Sequence, residues 1–259
     1  MRRVLVIGIG MGDPAALTFR AVEAINQADV FFFLDKGEAA GELIGLREAI
    51  LRAHRREPWR AVTAPSPKRG TAGGYRAGVK AWHDARAALF AGLIDQEIAE
   101  GGVGAFLVWG DPMLYDSTLR VLEAARGHGI DFEIAVIPGI TAVQALCAAH
   151  AIPLNGIGEP VEVTTGRRVT AGTPEAPAFV VLLDDGSGLA ALMARGWEGH
   201  VWWGAYLGTA DERLLAGRLT EVGEAILAAR AEARARKGWI MDVWLARPLP
   251  AAGASFETL

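Results

Sequence analysis

The chain has 259 residues, 51% apolar and 22% charged, with 26 lysines and arginines against 30 acids and a formal net charge of −4. That length holds one large domain or two small ones, and so apolar a chain is not disordered, since disorder needs low hydrophobicity and high net charge. The acidic balance argues against a protein that coats nucleic acid, and Cys147, the sole cysteine, excludes an intrachain disulfide framework.

Apolar runs such as 30–34 and 178–183 fall far short of the roughly 18 residues that a membrane-spanning helix needs, so no membrane partner is expected. Arg2-Arg3 ahead of Val4-Leu5-Val6-Ile7 imitates a signal peptide. Gly8, Gly10 and Gly12 break the run, however, and Asp13-Pro14 ends it with no small-residue cleavage site. A buried first strand of a cytoplasmic protein is the simpler reading.

In chain order, 4–9 is a continuous apolar run with β-branched residues, which suits a strand covered on both faces. A turn at 10–14 leads to a helical pattern at 15–26, with Leu17, Ala21, Val22 and Ile25 on one side. A second buried strand follows at 30–34, then helical patterns at 42–54 and 75–99, with a basic loop at 59–74 between them. A third strand at 105–109, a helix at 117–126 and a fourth strand at 132–137 complete this half. Strands alternating with helices imply a mostly parallel sheet with crossover helices.

The second half has short strands at 161–164, 179–183, 201–206, 214–219 and 239–245, with helices at 189–195 and 221–236. The runs 201–206 and 214–219 are spaced as an antiparallel hairpin, and the Ala/Arg-rich stretch 228–237 reads as a solvated helix surface. Pro153, Gly156, Gly158 and Pro160 cluster between the halves. The expected fold is therefore two α/β domains, 1–152 with a mostly parallel sheet and 153–259 with a mixed one.

Three motifs each follow a buried strand. Gly8-Ile9-Gly10-Met11-Gly12-Asp13-Pro14 is a glycine-rich turn whose backbone, at Gly10 and Gly12, can approach an anion or a flat substrate. It is not a dinucleotide fingerprint, because the sixth position of G-x-G-x-x-G is Asp13. That weighs against a nicotinamide-dependent oxidoreductase. Trp109-Gly110-Asp111-Pro112-Met113-Leu114-Tyr115 and Ile137-Pro138-Gly139-Ile140-Thr141-Ala142 lie at strand carboxyl ends, where open α/β sheets bind ligands. Each alone reads equally well as a turn with a helix cap.

Taken together and in this order, with Ala151-Ile152-Pro153-Leu154 following, the motifs resemble the tetrapyrrole (class III) S-adenosylmethionine-dependent methyltransferases over essentially the whole chain. The run Val30-Phe31-Phe32-Phe33-Leu34-Asp35-Lys36-Gly37 with Trp82-His83 narrows the likeness to corrin-ring members that couple methylation to loss of an acetyl group as acetate. The resemblance implies a homodimer of two α/β domains with S-adenosylmethionine folded in the cleft between them. Gly110 and Asp111 would meet the methionine end, with Leu114 packing nearby and Thr141 and Ala142 lining the pocket. Leu183, at the end of a second-domain strand, would cover the adenine, with Gly208 on the following strand. Met11 stands where many relatives carry proline, which leaves a cofactor contact there unsupported. Deacetylation needs a general base and an oxyanion donor. Asp35 and Asp13 are the candidate bases and Tyr115 the candidate donor.

Charge is unevenly placed. Residues 47–86 hold ten basic residues and three acids, and the rest of the chain holds 16 and 27. Arginines pair with carboxylates in bidentate fashion, so Arg60, Lys68 and Arg69 are candidates for a polyacidic tetrapyrrole substrate, against the alternative of a solvated face and basic loop. Five scattered histidines give no metal-ligand spacing, so no metal is expected, and no G-x-S-x-G is present. A non-catalytic binding protein of the same fold is the remaining alternative.

Overall fold

The computed structural model describes residues 1–35, 37–67 and 75–249, which form two compact units that divide between Thr141 and Ala142. The first unit runs β1 (Arg2–Gly8), a 3-10 turn (Pro14–Ala16), α1 (Phe19–Gln27), β2 (Val30–Asp35), α2 (Glu38–His54) and β3 (Arg60–Pro65). It continues with α3 (Tyr75–Glu97), β4 (Val103–Val108), α4 (Thr118–Arg126) and β5 (Phe132–Ile137). The strands are all parallel, in the order β3-β2-β4-β1-β5.

Strand alternation explains the layers. Val4, Val6, Phe32 and Phe106 turn to one face and pack with Phe90 of α3 and Leu122 of α4. Leu5, Ile7, Phe31 and Phe33 turn to the other and pack with Ile25 of α1 and Leu51 of α2. The helices after β1 and β4 thus lie on opposite faces, although these strands are neighbours in the sheet.

Two expectations for this unit change. The helix expected at 15–26 begins only at Phe19, because Asp13 caps the separate 3-10 turn and Thr18 Oγ1 accepts from Ala21 N at 3.1 Å to cap α1. Part of the expected basic loop is β3, an edge strand in which only Ala64 is buried, so it carries no apolar run to betray it.

The second unit comprises α5 (Ala142–Ala149), β6 (Val161–Thr165), α6 (Gly166–Ala171), β7 (Ala178–Leu182), α7 (Ser187–Ala194), β8 (Gly199–Ala205), β9 (Arg213–Arg218), α8 (Leu219–Lys237) and β10 (Asp242–Pro248). Its sheet has the order β6-β7-β10-β8-β9, with β6 and β7 parallel and the other pairs antiparallel. The expected hairpin is β8–β9, with Trp203 opposite Leu215. The last strand starts at Asp242 rather than 239, because Gly238 ends α8 with a φ of 73° and Trp239 turns edge-on to Tyr206. Nor is 228–237 a purely solvated surface: Arg230 is buried, and its guanidinium donates to Asp242 Oδ2 and to the carbonyls of Asp184 and Asp185. No helix among the described residues is long and apolar enough to cross a membrane.

Candidate functional site

In the first unit, the carboxyl ends of β1, β4 and β5 meet backbone to backbone. A Cβ built on Gly8 would lie 2.6 Å from Gly139 N and 2.8 Å from Gly110 O, and one on Gly139 would lie 2.7 Å from Gly8 C. Only glycine permits that approach. Gly10 and Gly110 exchange both backbone bonds across an isolated bridge, at 3.3 and 2.8 Å, with φ values of 66° and 61°. Three of the sequence motifs are thus one junction.

Asp111 ties this junction together. Its Oδ2 accepts from Gly139 N at 2.9 Å and its Oδ1 from Met113 N at 2.7 Å. Beyond it the loop leaves Met113 and Tyr115 exposed, with Leu114 half-buried. Tyr115 holds a φ of 50°, a conformation that L side chains seldom adopt and that tends to cluster at functional sites. Gly12, with a φ of 112°, precedes Asp13, whose Oδ1 accepts from Ala15 N at 2.8 Å.

Asp35 ends β2 on the same edge of the sheet, exposed, with Oδ1 accepting from Gly37 N at 2.8 Å. Arg60 is placed elsewhere. As the first residue of β3, level with Val30, it sits at the amino end of the strands, where Nη1 meets Glu97 Oε2 at 2.5 Å. The structure therefore does not bring Arg60 to the glycine junction. Lys68 and Arg69 lie outside the described residues, as does Lys36.

In the second unit, Leu183 follows β7 with a φ of 53° and is 68% exposed. Its backbone is fixed by its neighbour. The buried Asp184 carboxylate accepts from Gly188 N at 2.9 Å, Leu189 N at 3.1 Å and Trp244 Nε1 at 3.0 Å, and its carbonyl accepts from Arg230. An exposed apolar side chain on a pinned, strained backbone suits contact with a flat ring. Gly208 lies in the turn after β8, not on a strand, with a φ of 73° and its N–H donating to Glu212 Oε2 at 2.8 Å. Thr141 closes the first unit and Ala142, buried, opens α5. No cluster of His, Cys, Asp and Glu that could hold a metal occurs among the described residues.

Motif-by-motif reading missed a cavity of about 170 Å³ in the first unit, lined by Arg47, Arg86, Trp109 and Asp116 among apolar side chains. Its residues come from separate helices and strand ends, and only the excess of basic residues in 47–86 hinted at it.

A parallel sheet whose strand ends meet on glycines, with a mixed-sheet second unit, defines a class. The family model of the Tetrapyrrole (Corrin/Porphyrin) Methylases matches residues 3–223, and the chain belongs to that family. Within it, the chain is 46% identical over 260 residues to a precorrin-6A synthase (deacetylating) of Sinorhizobium sp, covering 99% of this chain and 98% of the relative. Among solved structures, a cobalamin synthesis related protein (CobF) from Corynebacterium diphtheriae is 38% identical with a TM-score of 0.80, covering 96% of this chain and 100% of that one. The uroporphyrin-III C-methyl transferase of Thermus thermophilus, solved with S-adenosyl homocysteine, shares the fold at 21% identity and a TM-score of 0.61, with 95% and 97% covered.

Proposed function

We propose that the chain is an S-adenosylmethionine-dependent C-methyltransferase of corrin-ring construction, acting in the cytoplasm as a homodimer. In this reading it methylates precorrin-5 at C-1 and releases the acetyl group as acetate to give precorrin-6A. The observation that carries the reading is the 46% identity, over nearly the full length of both chains, to a precorrin-6A synthase (deacetylating).

The residues fit the cofactor's two ends. Gly110, without a Cβ, and Leu114, Thr141 and Ala142, small or apolar, would receive the methionine end, and Leu183 with Gly208 would receive the adenine. When bound, the cofactor supplies an electrophilic methyl group on sulfur. The protein's part is then to hold the nucleophilic ring carbon in line and to keep water away, which needs no nucleophile of its own. This accounts for a junction made of backbone and glycine.

Acetyl loss asks for more, namely a base to activate water and a donor for the developing oxyanion. Asp35, at a strand carboxyl end and exposed, is our choice of base, with Tyr115 as donor. Asp13 is the weaker candidate, since its carboxylate caps the 3-10 turn beside it. The test is mass analysis after incubation with S-adenosylmethionine and precorrin-5. Gain of one methyl group with release of acetate supports the reading, and an unaltered substrate beside tight binding of S-adenosylhomocysteine points to a different tetrapyrrole.

A further inference from the structure

Strands β2 and β4 pair only as far as Phe32 and Phe106. Past that point they part, and the cavity opens between their carboxyl ends, walled by α2 and α3. Val108 O is taken by Ile9 N of the β1 side, so strand alternation turns Leu107 O toward the gap. Arg47 answers it: Nε donates to Leu107 O at 3.0 Å and Nη1 to Leu43 O at 2.9 Å, with the guanidinium 4.9 Å from the centre of the Trp109 ring.

Arg86 reaches the same cavity from α3 and is only 6% exposed. Its Nη1 donates to Ser117 Oγ at 2.6 Å, and its guanidinium lies over Trp82 at 4.7 Å and Phe90 at 5.3 Å. Arg86 Nε and Trp109 Nε1 are buried with no hydrogen-bond partner. Asp116 is the acid lining the cavity, and its Oδ1 already accepts from Thr118 N at 2.6 Å. Two guanidinium groups therefore face one carboxylate in apolar surroundings. Burial pushes Arg47 down to about 10 and lowers Arg86 as well, with Asp116 opposing both shifts. A buried charge of this kind needs a partner, and two of the donors here, Arg86 Nε and Trp109 Nε1, lack an acceptor.

We propose that Arg47 and Arg86 form a subsite for one carboxylate on a short apolar stem, with Phe32, Leu34, Phe90 and Phe106 receiving the stem. This rests on the reading of a tetrapyrrole substrate, whose acetate and propionate arms carry that group. The acetate set free in the reaction carries it too.

The test compares wild type with Arg86→Gln, Arg47→Gln and Arg86→Lys, at an ionic strength held constant with chloride. If the site holds a substrate arm, the KM for precorrin-5 rises about tenfold or more in the glutamine variants, the loss expected for one charge-assisted hydrogen bond. Affinity for S-adenosylhomocysteine stays unchanged and reports that the variants are folded. Propionate then competes with precorrin-5 in wild type and ceases to in the variants, and Arg86→Lys recovers part of the effect. If the site holds released acetate, KM is unchanged and inhibition by acetate disappears in the variants. Unchanged KM with unchanged inhibition by both anions overturns the subsite. If precorrin-5 is not a substrate, propionate still decides the matter: it raises the Tm of wild type above the chloride control, and no rise overturns the proposal.

Discussion

Asp111 holds the amide of Gly139. The 2.9 Å bond from Gly139 N to Asp111 Oδ2 joins the loop after β4 to the loop after β5, and Oδ1 is occupied by Met113 N at 2.7 Å. The family resemblance assigns Asp111 to the methionine end of the cofactor. The geometry adds a second role, since the carboxylate sets the shape of the loops before any ligand arrives.

Replacing Asp111 with alanine therefore acts on stability as well as on binding. The loss of bonds to a charged acceptor costs about 1.5–3 kcal/mol, read as a lower urea midpoint. Affinity for S-adenosylhomocysteine, measured by calorimetry, falls with it. Asp111→Asn keeps one acceptor and recovers part of both. Wild-type affinity in a destabilised alanine variant would separate the loop tie from the cofactor site.

The glycine junction makes a sharper steric prediction. A methyl group on Gly8 meets backbone at 2.6 and 2.8 Å, which cannot rotate away. Gly8→Ala is expected to lose about 1–3 kcal/mol of stability and to bind S-adenosylhomocysteine poorly. Gly92, in α3, has nothing within 4 Å of a built Cβ. Gly92→Ala should instead gain about 0.5–1 kcal/mol. Equal thermal melts for the two variants would remove the packing argument.

Both outcomes bear on what the sequence could disclose. Buried strands such as β1 and β4 were legible because both their faces are covered, so apolar residues run without interruption. The edge strand β3 was not, since burial there reaches only Ala64. The glycine motifs were legible one by one, but their convergence depends on the strand order that sets β1 between β4 and β5. Arg47 and Arg86 were counted only as part of a basic stretch, because α2 and α3 arrive at the cavity from opposite faces of the sheet. Arg60 shows the converse: the right charge in the right stretch lies at the wrong end of its strand.

In the second unit, His200 gives stability a pH dependence. Burial lowers its pKa from 6.5, His150, Arg218 and Arg247 act in the same direction, and Glu221 opposes them. The unfolded chain takes up this proton near 6.5 and the folded chain resists it. The contribution is thus whole above that pH and falls as pH drops through 6.5 toward the folded value. Thermal melts between about pH 5 and 8 should show a steeper acid-side decline for wild type than for His200→Gln. Parallel curves would remove His200 as the source of the decline, because Asp185 and Asp211, held below 3.8 by hydrogen bonds to Ser187 and to Lys237, lose their contribution only at more acid pH.

Methylation and acetyl loss make demands on different atoms. Displacement at a sulfonium methyl needs position and exclusion of water, whereas acetyl hydrolysis needs water admitted and activated. We propose Asp35 for the second task alone. It ends β2 at the sheet edge shared with the glycine junction, is exposed, and spends Oδ1 on the turn amide of Gly37. Its local role as a turn acceptor would affect stability without changing the product. Asp35→Asn preserves that acceptor and removes the base, so the two roles come apart. The expected product, by mass analysis, is a methylated corrinoid that keeps its acetyl group. Complete conversion with acetate released at the wild-type rate would take Asp35 out of the mechanism and leave the base to be sought among Asp13 and the residues around Tyr115.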